Sequence, residues 1–172
     1  MKSVSILLGA GLVSLLAGCA STPIALAPVG PNPVGIEGMA SQGELQVFSS
    51  LTEQSDNQNQ GSDDPVWYQH TGYGIYSLDG KLVERVDNAK GHYSEAPLRV
   101  SLPAGRYLVR AEAEDYVSVE VPVVIERGRT TRVHLDDNWK LAPGTPGREL
   151  VSLPNGNPVG WRAESAKETG TN

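Results

Sequence analysis

The feature that most constrains this chain is a run of alternating residues near its middle. Val117, Val119, Val121, Val123 and Ile125 are interleaved with Ser118, Glu120, Pro122, Val124 and Glu126. β-Branched side chains at period two fit a pleated, half-buried strand, because alternate side chains then share one face. The same period recurs at Leu45 and Val47 ahead of Phe48, at Tyr107, Val109 and Ala111, and at Val133 and Leu135 around His134. Turn chemistry separates these runs: Asp79-Gly80, Pro103-Ala104-Gly105 and Arg127-Gly128. Asp-Gly between Gly74–Leu78 and Leu82–Val86 predicts a two-residue hairpin. Pro122 has no N–H for a ladder, which predicts an edge strand or a bulge there. No amphipathic helix fits between 43 and 136. About seven short strands in that span predict an all-β fold, an antiparallel two-sheet sandwich.

The flanks differ in texture. Residues 22–42 hold four prolines and three glycines with few charges. They read as a flexible, partly polyproline tether reaching about 25 Å. Beyond Leu135 lies a C-terminal extension, 137–172, with a candidate hairpin over 149–162 around Asn155-Gly156 and a polar tail. The organisation expected is a leader over 1–18, a tether over 19–42, a sandwich over 43–136 and the extension.

The leader carries its own signature. Lys2 supplies a positive start, Ile6 to Leu16 an apolar stretch, and Ala17-Gly18 the small residues of a cleavage site before Cys19, the only cysteine. The apolar stretch from Val4 to Gly18 is shorter than the roughly 20 residues of a membrane-spanning helix. Leu16-Ala17-Gly18-Cys19 resembles the lipobox of bacterial lipoproteins. That resemblance implies cleavage between Gly18 and Cys19, a diacylglyceryl group on the Cys19 sulfur and usually an acylated new amino terminus. Two acyl chains anchor durably where one does so only marginally. Ala20, in place of an aspartate, implies the outer membrane and its periplasmic face. With Cys19 modified, no disulfide can form, and stability rests on packing.

A second resemblance covers about 40 residues. Leu102-Pro103-Ala104-Gly105-Arg106-Tyr107-Leu108-Val109-Arg110-Ala111, then Tyr116, Gly128 and Val133-His134-Leu135, is similar to a pattern of carboxypeptidase-regulatory-like and PEGA-like sandwiches, related in shape to prealbumin. It implies an accessory, adhesive or structural module and carries no catalytic residues. Hydroxyisourate hydrolases of the prealbumin shape end in Tyr-Arg-Gly-Ser, whereas this chain ends in Thr-Gly-Thr-Asn.

Charge narrows the functional classes. The formal net charge is −6 and becomes −7 once Lys2 leaves with the leader, the wrong sign for a nucleic-acid partner. The acidic stretch from Asp56 to Asp64 fails as a calcium-binding EF-hand loop: its third, fifth and twelfth places hold Gln58, Gln60 and Trp67. A solvated insertion is the expectation, with an irregular calcium site from Asp56, Asp63 and Asp64 as the alternative. His70, His92 and His134 lack zinc-ligand spacing, and no metal or other cofactor is expected. Neither a nucleophile elbow nor a phosphate loop is present, so no catalytic residue is assigned.

Trp67, Tyr68, Tyr73 and Tyr76 form the densest aromatic group, read as packing or as ligand contacts. The expectation is a membrane-anchored envelope lipoprotein whose sandwich is a non-enzymatic structural or protein-interaction module. The alternative is a carbohydrate- or peptidoglycan-binding accessory protein using those four rings. A third reading, an enzyme, requires a pocket that gathers His70, His92 and several carboxylates.

Overall fold

The computed structural model describes residues 22–32, 41–55, 66–88, 96–145 and 147–164. These form an all-β sandwich of thirteen strands with one 3₁₀ turn, Gly147–Glu149. Gly18, Cys19, Asp56, Asp63, Asp64 and His92 lie outside the described residues. In chain order the strands are β1 (Ile24–Ala25), β2 (Val29–Gly30), β3 (Gln42–Phe48), β4 (Leu51–Ser55) and β5 (Val66–His70). There follow β6 (Tyr73–Tyr76), β7 (Leu82–Val86), β8 (Arg99–Pro103), β9 (Gly105–Ala113) and β10 (Tyr116–Ile125). The last three are β11 (Thr130–His134), β12 (Leu150–Ser152) and β13 (Pro158–Arg162). A large sheet runs β12-β13-β2-β10-β9-β6-β7, with β1 also on β10; a small one runs β11-β3-β8, and β4 and β5 pair separately.

The valine-rich run forms β10, at the centre of the large sheet rather than at an edge. Val119, Val121, Val123 and Ile125 are all buried against Val109 of β9, Leu45 and Val47 of β3 and Val133 of β11. Pro122 pairs opposite Leu108 without any shift of register. On its other side β1 pairs at Val119 and Glu120 and β2 at Val123, so the N-terminal pairing is interrupted beside the proline. The irregularity lies earlier, between Tyr116 and Val119. It turns Val117 outward, 81% exposed, although the alternation places that residue inside.

The strand count exceeds seven, and the sheets are mixed rather than purely antiparallel. β1 and β2 run parallel to β10, and β11 runs parallel to β3. The N-terminal segment corrects the tether reading most sharply. Val29 is fully buried, the Leu26 N–H donates to the Glu120 carbonyl at 2.9 Å, and the Ala163 N–H donates to the Pro28 carbonyl at 2.9 Å. Glycine and proline mask the strand signal here, yet β10 offers backbone partners that a two-residue strand can use. The C-terminal hairpin, β12 with β13, is integral too, because β13 pairs with β2. The sandwich therefore extends beyond 43–136 on both sides.

Both predicted hairpin turns form, each one residue longer than the two-residue type. Ser77 N–H donates to Lys81 O and Leu153 N–H to Asn157 O, each at 2.9 Å, leaving three-residue loops. The two sheets meet where β3 begins: Glu44 N–H donates to Arg129 O and Gly128 N–H to Gln42 O, both at 2.9 Å. Gly43 makes that approach feasible, since a Cβ there would collide with the Glu126 carbonyl oxygen.

Candidate functional site

On the small sheet's outer face, register decides which side chains meet. Leu45 and Val47 point inward, so Glu44, Gln46 and Phe48 point out. Parallel pairing sets Thr130 beside Glu44, Arg132 beside Gln46 and His134 beside Phe48. Past β11 the chain bends at Asp137, whose φ of 58° is a conformation that aspartate tolerates better than most residues. Trp139 then folds back over His134. Its ring stacks on the imidazole at 4.7 Å and 15°, and Phe48 covers the other imidazole face at 4.3 Å and 14°. Trp161 of β13 meets Trp139 nearly at right angles, at 6.2 Å and 72°. His70 closes the row edge-on to Phe48 at 5.7 Å.

Phe48, His134, Trp139 and Trp161 wall a groove of about 530 Å³ between the small sheet and the chain from Trp139 to Thr145, and His70 lies outside its lining. That volume lies within the range of small-molecule sites, roughly 300–1,000 Å³. Two exposed cations, Arg132 and Lys140, also line it. Among the described residues no carboxylate forms an ion pair with either, whereas Arg99, Arg110 and Arg129 pair with Glu44, Glu120 and Glu126. Gln46 donates its amide to the Pro97 carbonyl at 3.1 Å. Burial between two rings pushes the His134 pKa from its ordinary 6.5 down to about 4, with Arg132 and His70 adding to the shift and Asp136 opposing it. The imidazole is thus neutral near pH 7 and acts as a packing ring.

His70 has a structural task. Its Nδ1 lies 2.6 Å from the Ser49 carbonyl, to which it donates, while Ser49 Oγ donates to the Thr71 carbonyl at 2.6 Å. Asn88 Nδ2 reaches the Val47 and Thr71 carbonyls at 3.3 and 3.1 Å. This buried network ties the end of β3 to β5 and β6. Among the described residues no group of three or more His, Cys, Asp or Glu side chains is arranged to hold a metal ion. Nor is any helix there long and apolar enough to cross a membrane.

The four rings singled out from the sequence do not form one platform. Trp67 and Tyr68 are consecutive on β5 and point to opposite faces, with Tyr68 50% exposed. Tyr73 is buried in the core, where burial first and the nearby Glu84 charge second push its phenol well above the ordinary range. Tyr76 lies on the other face of β6, with the Arg110 guanidinium 4.5 Å over its ring. Tyr73 and Tyr76 do border one shallow depression, beside Arg85 and Arg110.

The rings that converge, Phe48, His134, Trp139 and Trp161, come from separated parts of the chain. Outward parity at Phe48 and His134 was the available signal; the returning Trp139 and the distant Trp161 had none. No family model matches the chain, and neither does any curated protein or solved structure.

Proposed function

We propose that this protein is a lipid-anchored envelope lipoprotein, held at Cys19 on the periplasmic face of the outer membrane, whose sandwich is a non-enzymatic interaction module. The Leu16-Ala17-Gly18-Cys19 ending supports the anchor. The observation that carries the module is the aromatic groove on the small sheet: its histidine serves as a ring between rings, and its cations point to contact rather than bond-making. The same groove favours the second reading, a carbohydrate-binding accessory protein, with the contacts moved from Trp67, Tyr68, Tyr73 and Tyr76 to Trp139 and Trp161.

The test has two parts. Cells fed an alkyne-tagged fatty acid should label the wild-type chain and not Cys19→Ser. A photo-crosslinker at position 139 should capture an envelope component that one at exposed position 85 does not. An unlabelled wild-type chain rejects the anchor, and equal capture from both positions rejects the groove as the contact surface.

A further inference from the structure

The groove beside Trp139 has features that specify a class of ligand, an assignment that rests on reading the sandwich as a binding module. Its sign of charge runs against the molecule. In a chain of formal net charge −6, the charged side chains lining the groove are Arg132 and Lys140. Uncompensated cations against low-dielectric ring walls favour an anionic group, and guanidinium geometry matches a carboxylate. Trp139 and Trp161, set at 72°, make an apolar corner suited to the C–H faces of a pyranose. Gln46 gives its amide hydrogen to Pro97, which leaves its Oε1 to accept from a hydroxyl.

An extended peptide fits less well. Strand addition needs a free sheet edge, and of the small sheet's two edge strands, β11 and β8, only β11 lines the groove. The backbone of β13 closes that edge: a Cβ on Gly160 would lie 2.9 Å from the Arg132 carbonyl oxygen and 2.5 Å from Val29 Cγ1. A compact ligand remains. We propose that this groove binds a carboxylate-bearing saccharide of one or two rings, its apolar face on the Trp139–Trp161 corner and its carboxylate between Arg132 and Lys140.

The test is calorimetric titration of the detergent-purified full chain with digalacturonate, with neutral digalactose and with tetraglutamate. Digalacturonate should bind saturably, and digalactose at least tenfold more weakly. Arg132→Ala and Lys140→Ala, both surface changes, should each weaken digalacturonate binding about tenfold with an unchanged circular dichroism spectrum, while Arg85→Ala should not. Absence of digalacturonate binding, equal binding of the two sugars, unaltered affinity in both groove variants, or tighter binding of tetraglutamate would each overturn the proposal. Such a failure leaves the acyl-labelling result untouched, and failed labelling leaves the titration readable.

Discussion

The outer faces of the two sheets obey the same alternation and end differently. On the large sheet the outward side chains satisfy one another: Arg110 donates to Glu120 at 2.7 Å and lies over Tyr76. On the small sheet Glu44 is engaged by Arg99 at 3.6 Å and by Thr130 at 3.0 Å, but Arg132 in the next row is not. There β13 and the Trp139 segment rise above the strands and give the face walls. Period two decides which residues point outward. What those residues then meet depends on segments distant in sequence.

The two faces share one core, so the largest effect should come from the junction between the sheets. Gly43→Ala forces a methyl group onto the Glu126 carbonyl and should lower the unfolding free energy by about 3 kcal/mol in urea titrations. A loss under about 1 kcal/mol would show that the sheets do not approach there. Next in size is a pH effect confined to the small-sheet side. Since the folded-state pKa of His134 lies below 6.5, the unfolded chain binds the proton first as pH falls. Stability should therefore be complete above pH 6.5 and decline towards pH 4, by on the order of 2 kcal/mol once partial solvent access is allowed for. His134→Phe should flatten that slope in thermal melts at pH 4.5 and 7, and an unchanged slope would exclude His134 as its source. The smallest effect separates the faces directly. Arg110→Ala should cost up to about 1 kcal/mol, because it removes an ion pair and a cation–π contact. Arg132→Ala should alter stability by less than about 0.5 kcal/mol in the same melts. Equal losses would mean that Arg132 is engaged in the fold.

Much of the fold was legible because its signals are local. Alternation located β3, β9, β10 and β11, and Asp79-Gly80 and Asn155-Gly156 located two hairpins. Ile24–Ala25 and Val29–Gly30 were not legible, because two-residue strands broken by proline carry no period and exist by docking on β10. Val117 was misplaced because the irregularity between Tyr116 and Val119 has no mark in the residues themselves. The aromatic site was missed for a related reason. Closeness in sequence grouped Trp67 with Tyr76, whereas strand parity scattered them. Phe48, His134, Trp139 and Trp161 are brought together by parallel register and a reversal at Asp137.

The early entry of the chain into the sheet also changes how far the molecule can stand from its proposed point of attachment. Counting from Cys19 to Ile24, five backbone steps of at most about 3.6 Å give a leash of about 18 Å when fully taut. With Cys19 anchored, the start of β1 would lie within that distance of the headgroups, closer than a free tether of about 21 residues would place it.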